Sequence, residues 1–249
     1  MINVNNLTIK LNVKTEILSR ISVDFEQAKI HAVVGPNGSG KTTLLKSIVG
    51  IYEPTGKETI KLNGRCLKDF NQFERSLAIS YVESQHSCPF AYTVRDVISW
   101  GRWIHHRGRP TADDKNAVEK AADTMGITSL LDRAITTLST GELKKTHLAL
   151  SLSSGARYFV WDEPFAPLDL KSSAALAELI KRLTLEGATF IISCHDLAMA
   201  LRFTDKLSLL SSGQIRWHGS SLDPEAISAI EREFNVKSRR DGIYFSDPS

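Results

Sequence analysis

Leu7, Ile9 and Leu11 alternate with Thr8 and Lys10, and Ile21, Val23 and Phe25 repeat the alternation. A period of two with one apolar face predicts two half-buried antiparallel strands. The continuous apolar run Ile30 to Val34 predicts a buried strand, and Thr43 to Val49 after it has helical spacing. Tyr52 to Gly56 breaks the chain, Thr59 to Gly64 reads as a strand running into a turn, and Ala78 to Val82 reads as the next strand. From about Ser84 the character changes. Thr93 to Trp100 is helical, Thr111-Ala112-Asp113-Asp114 has the form of a capping box, and the helix it opens stops at Gly126. Beyond residue 155, Tyr158 to Trp161 is an apolar strand ending in Asp162-Glu163-Pro164. Ala174 to Glu186 is an amphipathic helix with Leu176, Leu179, Ile180 and Leu183 on one face and a stop at Gly187. Ala188 to Ser193 is another buried strand, followed by a short helix and by Leu207 to Trp217 with its hairpin turn at Ser211-Ser212-Gly213-Gln214.

Strands alternating with helices predict an α/β fold with a mainly parallel sheet, helices on both faces and ligands at the carboxyl ends of the strands. One domain over 1–249 is expected: an α/β core from 1–83 and 156–249 with an antiparallel β layer, and a helical insertion over 84–155. The polar stretch from Phe234 to Ser249 is assigned no function.

Composition narrows the partners only slightly. Of 249 residues, 42% are hydrophobic, enough for a sizeable core, and 31 Lys and Arg against 28 Asp and Glu leave +3. No basic block is present, so nucleic acid is not expected as a partner. Cys66, Cys88 and Cys194 are odd in number and far apart, which suits small apolar side chains in a reducing compartment rather than a disulfide framework. No apolar run approaches 18 residues, and Met1 to Asn6 has neither the basic nor the apolar region of a signal peptide. The chain alone is expected neither to cross nor to anchor in a membrane.

The chemistry begins at Gly35-Pro36-Asn37-Gly38-Ser39-Gly40-Lys41-Thr42, which fits the phosphate-loop pattern G-x-x-x-x-G-K-[ST] between a predicted strand and a predicted helix. Its glycines let successive amides converge on one anion, and the following helix aims its positive dipole end there. Lys41 would reach the terminal phosphates, and the Thr42 hydroxyl would hold magnesium. Asp162, at the end of an apolar strand, is the kind of carboxylate that a nucleotide-bound magnesium needs, because the ion keeps most of its waters. Glu163 could polarise a water in line with the last phosphate, the general-base role of a hydrolase.

With these pieces in order, the chain resembles the ATP-binding subunit of ABC transporters over essentially its whole length. Leu138-Ser139-Thr140-Gly141-Glu142 is similar to the family's signature sequence, and Trp161-Asp162-Glu163-Pro164 to its magnesium and base segment. Ala166-Pro167-Leu168-Asp169 resembles the loop joining two subunits, and Cys194-His195-Asp196 the segment with the switch histidine. The resemblance implies a head-to-tail dimer, as a homodimer or with a paired ATPase subunit. Each of two ATP molecules, with Mg2+, would be held by the phosphate loop of one chain, Gly35 to Thr42 with Thr43, and by Ser139, Thr140, Gly141 and Glu142 of the other. Glu163, His195, Lys41 and Gln85 would be catalytic; Thr42, Asp162 and Gln85 would serve the metal.

Four positions depart from the family pattern. Thr140 stands where glycine is usual, and Glu142 where glutamine is common. The magnesium-sensing loop normally carries Gln right after Tyr-Val-Pro; here Tyr81-Val82-Glu83-Ser84-Gln85 puts Ser84 in that slot and Gln85 one residue late, and Gln85 is taken as the sensor. Leu11 stands where an aromatic ring often stacks on adenine.

Pro89 to Ile98 with Trp100-Gly101-Arg102 resembles importers of iron chelates, haem and vitamin B12. That resemblance implies an energy-coupling ATPase on the cytoplasmic face of the membrane, docked to a polytopic permease and meeting a substrate-binding protein only indirectly. His105-His106-Arg107 reads as a solvated face near the docking surface rather than a metal site. The alternatives are a zinc or manganese importer ATPase, a soluble ABC-type ATPase scaffolding iron-sulfur assembly, and a non-hydrolysing nucleotide sensor.

Overall fold

Two residues in left-handed conformation explain why the first strands do not alternate evenly. The computed structural model describes all residues except 11–14, 56–58, 85–88, 107, 239–244 and 247–249. Gly56, Gln85, Cys88, Arg107 and Leu11 of the sequence analysis therefore lie outside the described residues, as does Arg239-Arg240-Asp241-Gly242. In chain order the elements are β1 (Ile2–Lys10), β2 (Glu16–Phe25), β3 (Ile30–Val34), α1 (Lys41–Ile48), β4 (Thr59–Leu62), β5 (Arg65–Cys66), α2 (Gln72–Ala78) and β6 (Ile79–Val82). Next come α3 (Val94–Trp100), α4 (Trp103–His106), α5 (Ala112–Thr124), α6 (Thr140–Ser153), β7 (Tyr158–Trp161) and α7 (Leu170–Leu185). The chain continues with β8 (Thr189–Ser193), α8 (Leu197–Phe203), β9 (Lys206–Ser211), β10 (Gln214–Ser220) and α9 (Pro224–Phe234). These contacts gather into two units, one of Met1–Phe70 with Lys181–Ser249, the other Asn71–Ile180.

In the first unit, β2, β1, β4 and β5 form an antiparallel sheet in that order. Ile2 and Val4 are buried, then Leu7 and Ile9, because Asn6 at φ 53° adds an unpaired residue and flips the phase; Arg20 at φ 52° does the same in β2 between Leu18 and Ile21. The two bulges keep one face apolar throughout. Beside this layer, β3 runs parallel to both β8 and β9, and β9 turns back into β10 through Ser212 (φ 48°) and Gly213 (φ 72°). Paired positive φ values fit the twist of a two-residue hairpin. Ala32, Val34, Leu207 and Leu209 of the sheet pack with Ala200 and Leu201 of α8 and Ala229 and Ile230 of α9.

His31 lies within β3, 1% exposed. Its Nε2–H donates to the Glu26 carbonyl at 2.9 Å and the ring stands edge-on to Phe25, while Nδ1 is buried with no hydrogen-bond partner. A carbonyl can only accept, so Nδ1 carries the bare lone pair and a second proton has no acceptor. Burial accordingly pushes the His31 pKa down to about 4. A depressed folded-state value stabilises the fold above the unfolded value near 6.5, and that contribution is lost as pH falls from 6.5 through 4. We expect about 3 kcal/mol to disappear over that window. Urea titrations between pH 7 and 4 should show a shallower slope in His31→Asn than in the native chain; equal slopes would exclude this role.

In the second unit, β6 and β7 are parallel, with Ile79 opposite Tyr158 and Val82 opposite Trp161. The helices α2, α3, α5 and α6 each open with a capping box, closed by Glu74, Asp96, Asp114 and Glu142 respectively. Asp114 also binds the half-buried Arg102 at 2.9 Å, and Arg102 donates to the Ser153 carbonyl at the end of α6. Helix α6 is pinned to the strands by Trp161, whose Nε1–H donates to Ser151 Oγ (2.8 Å), itself 2.8 Å from Ser80 Oγ. No helix among the described residues is long and apolar enough to cross a membrane.

Candidate nucleotide site

The phosphate loop is shaped by what surrounds it. Gly35 follows β3, and a Cβ there would stand 1.9 Å from the Leu210 carbonyl oxygen of β9. Gly40, at φ 104°, precedes α1, and its Cβ would meet the Leu18 side chain at 2.7 Å. Only glycine satisfies either place. The Ser39 amide donates to Pro36 O, and the Ser39 carbonyl accepts from Gly213 N (3.1 Å) in the β9–β10 turn. Ser19 of β2 in turn donates to the Gly213 carbonyl (2.8 Å), so hairpin and antiparallel layer brace the loop from outside.

The loop's polar groups fit a polyphosphate. Helix α1 has no side-chain cap and no acidic residue in its first turn, unlike the four capping-box helices. Ser39 is buried, and its Oγ has no hydrogen-bond partner. Lys41, 7% exposed, curls back so that Nζ donates to Gly35 O (2.8 Å) and Pro36 O (3.0 Å), placing its charge inside the loop. Uncapped amides, an orphaned hydroxyl and a confined ammonium are donors arranged around one anion. Asn37, Gly38 and Thr42 are exposed, while Pro36 and Thr43 are half-buried. Because β3 and β8 are parallel neighbours, with Val33 beside Ser193, the loop and His195 leave the same sheet edge. His195 is exposed, whereas Cys194 before it is buried in the core and Asp196 caps α8 through Met199 N. Cys66 and Cys194 form no disulfide.

In the second unit the carboxylates stand at the ends of β6 and β7. Asp162 is 1% exposed, and its amide donates to Val82 O (2.8 Å). Glu163 is half-buried at φ 49°, a left-handed backbone that costs a non-glycine residue about 1–2 kcal/mol. Glu163 lines a cavity of about 490 Å3 with Ser84, Thr140, Leu143, Lys144 and Pro167. Gln85 lies outside the described residues; Ser84 before it accepts a hydrogen bond through its carbonyl from Lys144.

Ser139 caps α6. Its hydroxyl and amide both donate to Glu142 Oε2 (2.8 Å each), and Glu142 N donates back to Ser139 Oγ. These donors, with Arg133 and Lys145 adding charge, hold the Glu142 carboxyl below the usual carboxylate range. The substitution of glutamic acid at this position thus places a carboxylate at the helix end. Thr140 is exposed, and a Cβ on Gly141 would meet only Leu168 at an ordinary 3.9 Å. Packing within the chain therefore does not require glycine there.

His105 and His106 are structural: His105 Nε2 bonds the Ser154 carbonyl, and His106 Nδ1 accepts from Gly108 N. Among the described residues no group of three or more His, Cys, Asp or Glu side chains could hold a metal ion. A nucleotide-bound magnesium, ligated mostly by water and phosphate oxygens, needs no such group. Sequence reasoning missed Lys144, whose burial is invisible in a helix of mixed polar character.

The profile of the ABC transporter family matches residues 18–166. The hemin import ATP-binding protein HmuV of Gloeobacter violaceus is 31% identical over 206 residues, covering 80% of this chain and 74% of that protein. The petrobactin import ATP-binding protein YclP of Bacillus subtilis is 28% identical over 254 residues, covering 99% of this chain and 100% of that one. Among solved structures, the dimeric structure of a bacterial ABC transporter cassette superposes with a TM-score of 0.81 at 20% identity, covering 90% of this chain and 100% of that one. The sequence profile, the long curated alignments and the shared fold agree: this chain belongs to the ABC transporter family and has the fold of its ATP-binding cassette.

Proposed function

We propose that the chain is the ATP-hydrolysing, energy-coupling subunit of an importer for a metal chelate of the iron-siderophore, haem or vitamin B12 type. The observation that carries the ATPase reading is the phosphate loop, where the orphaned Ser39 hydroxyl, the uncapped α1 amides and the confined Lys41 ammonium fit a polyphosphate. The import reading is supported by the hemin and petrobactin import proteins among the relatives.

In this reading Lys41 and the loop amides from Gly35 to Thr43 bind the phosphates of ATP, and Thr42, Asp162 and Gln85 hold or sense Mg2+. Magnesium, when bound, neutralises charge on the phosphate oxygens. Glu163 takes the proton of the attacking water, and His195 steadies the terminal phosphate. Ser139, Thr140, Gly141 and Glu142 serve the nucleotide of a second copy or a paired ATPase subunit. Gly141 supports this role, since a neighbour outside the chain explains a glycine that the chain's own packing does not need. Glu142 must then share the Ser139 hydroxyl with that nucleotide or release it. The membrane crossing falls to a polytopic permease, to which this chain docks on the cytoplasmic face, and a substrate-binding protein delivers the cargo.

Affinity purification of the tagged chain from membranes should retain a polytopic protein encoded beside it, and the pair should release phosphate from ATP faster when a loaded binding protein is added. A chain recovered only from the soluble fraction, with phosphate release indifferent to membrane proteins, would overturn the transport reading.

A further inference from the structure

Lys144 is the least expected side chain in the second unit. It is 3% exposed, yet its ammonium reaches no carboxylate within ion-pair distance among the described residues. Nζ donates instead to the carbonyls of Glu83 (3.1 Å) and Ser84 (3.0 Å), and lies 3.5 Å from the carbonyl of Asp162. Those three carbonyls sit just past the ends of β6 and β7, the last of them directly before Glu163.

Burying an ammonium costs several kcal/mol that carbonyl dipoles only partly return. Packing alone does not explain that cost. Two turns further along α6, Ser151 anchors the same helix to the same strands through neutral groups, the Ser80 hydroxyl and the Trp161 indole. The charge is used only where the helix meets the strand ends. Burial lowers the Lys144 pKa, while attraction to Asp162 and Glu163 acts in the opposite direction and favours the charged form. The helix that carries it opens at Ser139 and Thr140, one turn earlier.

We propose that Lys144 is a positioning residue: its ammonium ties the start of α6 to the Glu83–Ser84 segment and to the Asp162–Glu163 turn. Those three pieces then move as one body when nucleotide is bound. The clamp holds Glu163 in its left-handed conformation and fixes the Glu83–Ser84 segment against the start of α6. This rests on the ATPase reading for its consequence, but the clamp itself is a property of the free chain.

Both levels are testable with Lys144→Met, which keeps length and loses the donors, and Lys144→Gln, which restores neutral N–H donors. In the nucleotide-free full chain, hydrogen exchange at the Ser84 and Glu163 amides should be at least about tenfold faster in Lys144→Met, and within about threefold of native in Lys144→Gln. Phosphate release should lose about tenfold or more in kcat with KM for ATP unchanged in Lys144→Met, and Lys144→Gln should recover most of it. Native exchange and native kcat in Lys144→Met would overturn the proposal. So would an equal loss in kcat and ATP affinity with faster exchange along all of α6, which marks plain destabilisation. Should Lys144→Met fail to fold, Lys144→Gln decides: native exchange and kcat support the clamp, and a folded Lys144→Gln with tenfold lower kcat refutes it. A native chain that releases no phosphate would sink the ATPase reading, while the exchange measurement would still judge the clamp.

Discussion

Lys41→Ala is expected to abolish nucleotide binding, with affinity for a fluorescent ATP analogue falling at least about a hundredfold. The Lys41 ammonium is held inside the loop by two backbone carbonyls, Gly35 and Pro36, so it is already desolvated and positioned. A phosphate exchanging for those carbonyls meets a charge whose reorganisation has largely been completed. Charge-assisted bonds to phosphate are roughly twice as strong as neutral ones, and the loop amides alone do not replace that cation. The truncation also leaves the Gly35 and Pro36 carbonyls without this donor, so a folding control by circular dichroism belongs beside the titration. Undiminished affinity in a folded variant would remove the phosphate-loop assignment.

Glu163→Gln is expected to leave ATP binding intact while phosphate release falls by about 10²–10⁴-fold, the usual worth of a positioned general base. Glutamine matches glutamate in shape and suffers the same backbone cost at φ 49°, so the turn after β7 should persist. What is lost is the capacity to accept a proton from water. A quenched-flow measurement of bound ATP converted to ADP separates this step from binding and release. Retained hydrolysis would move the base elsewhere.

Much of this arrangement could be read before any coordinates. The buried strand Ile30 to Val34, the phosphate loop, the Thr111–Asp114 capping box, the stops at Gly126 and Gly187, and the hairpin at Ser211 to Gln214 all use local chemistry with a fixed spacing, and all stand where expected. Less was legible where the signal is short or lies in three dimensions. Helix α2 buries no residue, so it has no apolar stripe, and only Asn71 with Glu74 betrays it. Helix α9 shows only Asp223 and Pro224 at its start and the small residues Ala226 and Ala229 beside Ile230 on its buried face, a weak apolar stripe. The bulges at Asn6 and Arg20 break the period of two that marks these strands.

For the site, residue types and order reveal Lys41, Asp162, Glu163 and His195 as candidates. They do not reveal that Glu163 is left-handed, that Glu142 takes the Ser139 hydroxyl, or that Lys144 turns inward. Each depends on which way a side chain points within a helix turn or after a strand. A buried lysine looks like any other in a list of letters.

On the proposed function, ATP is expected to join two copies, gripped by the loop of one and the Ser139 end of the other. Sedimentation velocity of Glu163→Gln, with and without saturating ATP and magnesium, tests it most directly, because slowed hydrolysis should preserve the bound state. A monomer is expected without nucleotide and a stable dimer with it, reversed when Lys41→Ala is added to the same chain. A species that stays monomeric with ATP bound would contradict it.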